Sequence, residues 1–299
     1  MIDPAASFEP HRRRLLGLAY RMLGSFSEAE DAVQDAYLRW HAADRDAVSD
    51  VRAFLTTTTT RICLDTLKSA RARRETYVGP WLPEPVLDTA ALAPDVQTEL
   101  AEDLSIALLL ALDRLSALER AAFLLHDVFD CSFSEVASAL GRSEAACRQL
   151  ASRARAHVRG ARPGAPAPAP RDPSEPASHQ ELLTAFVRAS RSGDLQGLVG
   201  LLADDARMTT DGGGKVNAAL NVIRGADRIA RFTVGVVRKG FVEPTVIRFA
   251  VINGLPGLLA YGPDGSVQST AFDIADGRIQ AIYVVRNPDK LGHLAPPPA

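Results

Sequence analysis

Residues 132–158 read SFSEVASALGRSEAACRQLASRARAHV, and this stretch decides the fold of the first half of the chain. Ser132 and Glu135 have the spacing of a capping box, which satisfies two orphan N–H groups at a helix start. A short helix then carries Phe133, Val136, Ala137 and Leu140 on one face. Gly141 supplies the left-handed turn that other residues avoid. Ser143 caps a second helix, EAACRQLASRARAHVR, so the unit reads helix, glycine turn, capped helix: a helix-turn-helix. Arg142, Arg148, Arg153, Arg155 and Arg159 meet one nearby carboxylate, Glu144. Arginine neutralises phosphates and contacts guanine edges bidentately. Residues early in the second helix face bases in such motifs, which nominates Glu144, Ala145, Arg148 and Gln149; Arg153 and Arg155 are placed for phosphates.

Working outward, residues 100–128 are helical. Leu104, Ala107, Leu108, Ala111, Leu112 and Leu115 form an apolar stripe, and Leu118 to Val128 continues after a short break. Residues 8–74 read as three helices. Leu16, Ala19, Tyr20 and Leu23 mark the first, and Ser27 with Glu30 is read as a capping box opening the second. That helix carries Ala29, Val33, Ala36, Tyr37 and Trp40 on one stripe, with Asp31, Gln34, Asp35 and Arg39 elsewhere. The third, 50–72, contains Thr56 to Thr60, a poor intrinsic helix sequence that needs tertiary support. Between the blocks, Pro80, Pro83, Pro85 and Pro94 interrupt residues 75–100, and WLPEP at 81–85 is expected to be extended.

Residues 161–177, ARPGAPAPAPRDPSEPA, form no core and mark a domain boundary. Beyond it, a helix with Leu182, Leu183, Phe186, Val187 and Ala189 that ends near Gly193, and a second at Leu195–Leu202, precede strand-like runs at 206–210, 217–223, 245–252, 257–261, 267–274 and 278–285. Asp276-Gly277 between the last two signals a hairpin. The expected organisation is 1–74, a linker at 75–100, 101–160, a proline-rich linker at 161–177, and 178–299: two all-α helical domains followed by an α+β domain.

The 299 residues suit several small domains. A net charge of −2 rules out a global positive field, but arginines crowd 52–74 and 142–162, and local stripes matter more than the total. Cys63, Cys131 and Cys147 are odd in number and never form CxxC, which argues against disulfides and zinc; they read as small buried residues. The opening MIDPAASFEPHRRR lacks the apolar core of a signal peptide, and no apolar run reaches the ~18 residues of a membrane span. A cytoplasmic protein without membrane, metal or cofactor is expected.

Residues 119–159 resemble region 4 of a sigma factor of the extracytoplasmic-function class, and residues 12–74, with SEAEDAVQDAYLRW and RAFLTTTTTRICLDTLKSARARRE, resemble region 2. Two such blocks in this order are far more specific than either alone. WLPEP, DGGGKV at 211–216 and NPDKL at 287–291 resemble a subgroup with a fused SnoaL-like domain, a nuclear-transport-factor-2-like cone of curved sheet and helices. The resemblance implies a bacterial core RNA polymerase partner, met through its β′ clamp helices by Asp31, Gln34, Asp35 and Arg39, and through its β flap. It implies −10 handling by Arg61, Asp65, Lys68, Arg71, Arg73 and Arg74, and −35 reading from Arg142 to Arg155. The 75–100 linker would thread the polymerase cleft. It also implies regulatory contacts of the cone with the helical core, through Trp81, Pro83 and Glu84, through Asp211, Gly212, Gly213, Gly214 and Lys215, and through Asn287, Pro288, Asp289 and Lys290.

Three readings of the last domain differ in chemistry. An enzyme would draw its acid or base from Asp204, Asp205, Asp211 or Asp273, none spaced against a histidine; His179 and His293 lie towards the domain's ends. A phosphate loop at 211–216 fails, since Thr209 and Val216 occupy the first glycine and Ser/Thr positions. A regulatory contact surface, with the NPDKL segment contributing, is the reading the resemblance favours; a small-molecule pocket in the cone, whose ligand the sequence does not name, is a separate option. The function expected is an alternative sigma factor, not an enzyme, modulated by its own C-terminal domain. The alternative is a one-component helix-turn-helix regulator with a ligand-sensing domain.

Overall fold

The computed structural model describes residues 3–74, 77–87, 104–161, 175–240 and 244–294. They fall into two compact units. One holds the described parts of Met1–Thr76 and Asp88–Ala167, the other those of Tyr77–Leu87 and Pro168–Ala299.

The first unit is all helical: α1 (Pro4–Leu23), α2 (Phe26–Ala42), α3 (Val51–Arg74), α4 (Ile106–Asp113), α5 (Ala117–Phe123), α6 (Phe133–Leu140) and α7 (Glu144–Ala161). Gly24 closes α1 in the left-handed region and the chain turns at once. The cap of α2 is therefore Ser25, in extended backbone, whose Oγ accepts from the Glu28 N–H at 3.2 Å. The expected Ser27–Glu30 box is two residues late. Ala29, Val33, Ala36 and Trp40 are buried as the stripe requires, and Trp40 Nε1 donates to Ser7 Oγ at 3.0 Å. The threonine run stays helical because the fold buries it: Thr59 and Thr60 are fully enclosed, and Thr60 Oγ1 donates back to the Thr56 carbonyl at 2.8 Å. Leu118 to Val128 is not one α-helix; after α5 the chain widens into a π-turn over Leu124–Val128, where the Phe129 N–H reaches the Leu124 carbonyl at 2.9 Å.

Three arginines tie the two helical blocks together through main-chain carbonyls. Arg14 donates to Phe129, Arg120 Nη1 to Met22 (2.5 Å), and Arg61 to Ala139 (Nε, 3.1 Å) and Ser138 (Nη2, 2.8 Å). Arg14 and Arg120 are buried, and Arg14 also stacks over the Phe129 ring at 5.0 Å. All three cysteines are free and buried.

The second unit is an α+β cone. Helices α8 (Glu175–Ser192), α9 (Leu195–Leu201) and α10 (Ala226–Arg238) accompany a six-stranded sheet. Its strands are β1 (Leu202–Asp211), β2 (Ile223–Arg224), β3 (Val246–Ile252), β4 (Leu255–Tyr261), β5 (Val267–Ala275) and β6 (Arg278–Val285), in the order β2-β1-β6-β5-β4-β3. Among the described strands, β1 and β6 pair in parallel and the other pairs are antiparallel. The 217–223 strand is not formed: Thr210 Oγ1 exchanges hydrogen bonds with both main-chain groups of Ala219, and only Ile223 and Arg224 pair with β1. Helix α10 was not expected. It buries Ala226, Ile229, Ala230 and Val234 on one stripe, but Gly225 gives it no side-chain cap. Two hairpins close on two-residue turns with both residues at positive φ, Asp276-Gly277 as expected and Asn253-Gly254 in addition.

Candidate nucleic-acid interface and linker clamp

Helix α2 presents Asp31, Gln34, Asp35 and Arg39 together on its exposed face, opposite Trp40 and Ala36. Leu38 lies among them and is 55% exposed, a large apolar side chain in a polar setting. The sequence reading passed over it because one leucine off the core stripe carries no signal by itself.

The helix-turn-helix forms as its capping residues require. The Ser132 Oγ accepts from the Glu135 N–H (3.3 Å) while Glu135 Oε2 accepts from the Ser132 N–H (2.6 Å). Gly141 takes φ 61°, and Ser143 Oγ accepts from the Ala146 N–H at 3.3 Å. Arg142, Ser143, Glu144, Ala145, Arg148 and Gln149 are all exposed around the start of α7, whereas Cys147, Leu150, Ala151 and Ala154 are buried behind them. Three arginines are engaged locally. Arg148 pairs with Glu144 (2.7 Å) and covers the Phe133 ring, Arg153 pairs with Glu119 (3.0 Å), and Arg155 pairs with Asp127 (2.6 Å).

On α3, Arg61 is spent on α6 carbonyls as described. Asp65 pairs with Lys68 at 2.8 Å in the open, and that hydrogen bond holds the Asp65 carboxyl below its ordinary range. The side chains of Arg71, Arg73 and Arg74 lie outside the described residues.

The residues expected to be regulatory converge elsewhere. Asp211, at the end of β1, is fully buried. Its Oδ1 accepts from the Tyr77 hydroxyl (2.5 Å) and the Gly213 N–H (3.0 Å); its Oδ2 accepts from the Leu82 N–H (2.8 Å) and Lys290 Nζ (2.7 Å). Lys290 also donates to the Leu82 carbonyl at 2.6 Å and sits 4.4 Å from the centre of the Trp81 ring, a cation–π contact. Asn287 Nδ2 donates to the Tyr77 hydroxyl at 3.0 Å, and its Oδ1 accepts from the Asp289 N–H. Burial, then the hydrogen bond to Asp211, pushes the Tyr77 phenol above its ordinary range, so it stays a donor. Further along, the Val86 N–H donates to Asn253 Oδ1 (3.2 Å) and the Val86 carbonyl accepts from the Asn253 N–H (2.8 Å). His293 reaches the Pro85 carbonyl at 2.7 Å and the buried Glu84 at 3.4 Å. Residues 77–87 are thus laid along the cone by a buried carboxylate, a lysine and the two hydrogen bonds between Val86 and Asn253.

The glycine run is a tight turn, with the Lys215 N–H on the Gly212 carbonyl at 3.0 Å. A Cβ on Gly213 would come within 2.3 Å of the Asn287 amide, so glycine is required there for space as well as for its φ of 60°. Lys215 pairs with Asp289 at 2.6 Å, with both ends in solvent. Sequence reasoning missed Tyr77, Asn253 and His293. Asn253-Gly254 did carry a signal, since Asn-Gly between apolar runs is a hairpin turn.

Inside the cone lies a cavity of about 760 Å³. The candidate catalytic carboxylates do not reach it. Asp204 and Asp205 are exposed at the start of β1, Asp273 is odd-numbered on a strand whose even-numbered residues line the cavity, and Asp211 is taken up by the clamp. His179 is on α8 and His293 in the clamp, and neither lines it. No carboxylate or histidine is among the described lining residues.

A buried interface of two helical blocks, one of them a helix-turn-helix, followed by an α+β cone defines a class of multidomain DNA-binding regulator, and the comparisons give its family. Residues 8–73 match the family model for sigma-70 region 2, and residues 105–158 that for sigma-70 region 4. The chain is 41% identical to the ECF RNA polymerase sigma factor SigJ of Mycobacterium tuberculosis, over 95% of this chain and 92% of the relative. It is 32% identical to the probable ECF RNA polymerase sigma factor SigI of the same species, over 98% and 96%. The crystal structure of M. tuberculosis SigJ superposes with a TM-score of 0.71 at 37% identity, covering 96% of this chain and 98% of that one. The chain belongs to the extracytoplasmic-function sigma factors of the sigma-70 family: it is an alternative sigma factor, a transcription initiation factor. Among the described residues no helix is long and apolar enough to cross a membrane.

Proposed function

We propose that this sigma factor binds core RNA polymerase through the exposed face of α2, directs it to promoters through α3 and α7, and is restrained by its own cone through the hold on residues 77–87. It works in the cytoplasm and performs no chemistry itself. On α2, the β′ clamp helices meet Asp31, Gln34, Asp35 and Arg39 around Leu38, an exposed apolar anchor inside a polar rim, which is the composition of an interface hot spot. The start of α7 enters the −35 major groove, with Arg142, Arg148 and Gln149 facing bases. Arg153 and Arg155 turn to phosphates by exchanging Glu119 and Asp127 for the DNA backbone. Arg61, Asp65, Lys68 and the arginines at 71–74 serve the −10 element.

The single observation that carries the regulatory part is the Asp211 clamp. Residues 77–87 belong to the segment between the two DNA-reading blocks, and the cone holds them through a carboxylate with no solvent exposure. A segment held there is withheld from the polymerase cleft. Arg61, bound to α6 carbonyls, is withheld from DNA in the same form. Polymerase and promoter shift the protein only in so far as they bind the released form more tightly. Because the cone is tethered, its effective concentration at the segment stays high. The test is in-vitro transcription with bacterial core polymerase, on DNA from upstream of the gene itself, comparing the full chain with a truncation ending at Gly160. Promoter-dependent transcript supports the reading. Absence of both transcript and a complex with core polymerase would sink it.

A further inference from the structure

The cavity in the cone has a graded lining. Side chains alternate across a strand, so even-numbered residues of β1, β4, β5 and β6 share one face. The register sets them in rows. Met208, Ile282 and Phe272 form the innermost, with Phe186 of α8 edge-on to Phe272 at 5.2 Å. Thr210, Val284, Thr270 and Leu258 form the next. Gln268, Ala260 and Ile247 follow, with Arg286 just past the end of β6. The lining thus runs from apolar, through two hydroxyls, to an amide and a guanidinium.

Its charge is of one sign. Arg191, Arg231, Lys239 and Arg286 line it, and no acidic side chain does among the described residues. Arg231 is engaged by Asp227 at the surface. Arg286 is half-buried and donates Nη1 to the Asn217 carbonyl at 2.6 Å; burial makes its positive charge less favourable than in water and outweighs the opposing effect of Asp264. An anion set against Arg286 would relieve that cost, and a charge-assisted hydrogen bond in such surroundings is about twice as strong as a neutral one.

We propose that the cone cavity is a binding site for an amphipathic anion, an apolar chain lying on Phe272, Met208 and Ile282 with a carboxylate head at Arg286, Gln268 and Thr270. The volume lies in the range of small-molecule sites. With no acid or base among the described lining residues, the proposed site is one where a ligand is held and released unchanged. The site is coupled to the linker hold through one peptide segment. The Arg286 and Asn287 N–H groups both donate to the Asp211 carbonyl, at 2.8 and 3.0 Å, and the Asn287 side chain bonds Tyr77. Thr210, in the cavity wall, directly precedes Asp211. A ligand that draws on Arg286 therefore acts one residue from the clamp, and this regulatory half rests on the proposed role of the clamp.

The experiment is calorimetric titration of the full chain with dodecanoate, dodecanol and dodecyltrimethylammonium, each below its micelle concentration. Dodecanoate is expected to bind at least ten-fold more tightly than the alcohol, and the cation not at all. Decanoate should bind on the order of ten-fold more weakly, since each methylene withdrawn from water contributes. Arg286→Gln is expected to weaken dodecanoate about ten-fold and leave dodecanol unchanged, whereas Ala260→Trp should abolish both by filling the cavity. Equal binding of acid and alcohol, or indifference of dodecanoate to Arg286→Gln, overturns the anion assignment; absence of binding by all three overturns the site. Hydrogen exchange at the Leu82 and Gly213 amides is then read with and without dodecanoate. A changed rate is expected, and unchanged rates with bound ligand overturn the coupling. Transcription by an Asp211→Asn variant without lipid tests the clamp separately, so failure of the cavity and failure of the clamp give different results.

Discussion

The two units hold their parts together by opposite devices. In the helical unit, arginines on one block donate to main-chain carbonyls of the other: Arg14 to Phe129, Arg120 to Met22, Arg61 to Ala139 and Ser138. In the cone, a single buried carboxylate gathers four donors, two from the linker segment and two from the cone itself. A carbonyl released by arginine is neutral and is hydrated by water. Asp211 is different, since its charge has no solvent contact and must keep its partners or gain water. The helical interface is accordingly the one made to open without penalty to its acceptors, whereas the linker hold is a latch whose strength is concentrated in one residue.

That contrast can be broken at its strongest point first. Replacing Asp211 by Asn removes the charge facing Lys290 and should cost the hold about 1.5–3 kcal/mol, the range for hydrogen bonds to charged groups. The amides of residues 77–87 should exchange roughly ten- to a hundred-fold faster, with the helical unit unchanged. Uniform acceleration in both units would mean that no separate latch exists. Next, Arg120→Ala should lower the unfolding free energy of the helical unit by ~1.5–3 kcal/mol in denaturant titration, because Asp113 and the Met22 carbonyl lose a buried cation. A loss confined to the cone would contradict the division. Leu38→Ala should weaken core polymerase binding by about 1–2 kcal/mol, read by titrating labelled core enzyme, at an unchanged melting temperature, as befits an exposed residue. Unchanged affinity would remove α2 from the interface. The smallest effect is expected for Lys215→Ala. Its pair with Asp289 is exposed at both ends and worth ~0–1 kcal/mol, so linker exchange should barely move. A large effect would place the latch at the rim of the turn rather than at Asp211.

How much of this was legible in the sequence depended on whether its cause was local. The helix-turn-helix was readable because Ser132, Glu135, Gly141 and Ser143 act on backbone within four residues of themselves. The Asp276-Gly277 hairpin was readable for the same reason. The second helix was placed with the wrong cap because Ser25 and Ser27 both precede suitable glutamates, and only the left-handed Gly24 selects between them. Helix α10 escaped because its stripe begins at a glycine with no capping side chain. The clamp was half visible. Asp211, Lys290, Asn287 and Trp81 stood out in short motifs, but their convergence spans 79 and 129 residues along the chain. Tyr77 and Asn253 join it across 134 and 167 residues, with no local mark of that role. The cavity's sign of charge was out of reach, since it depends on which strand residues face inward.

The most direct test of the central claim, that the cone restrains the sigma factor by holding residues 77–87, is transcript yield from core polymerase with the full chain against its Asp211→Asn variant, at equal concentration and with folding verified by melting. The account predicts several-fold more promoter-dependent transcript from the variant. Equal or lower yield from a folded, polymerase-binding variant would contradict it.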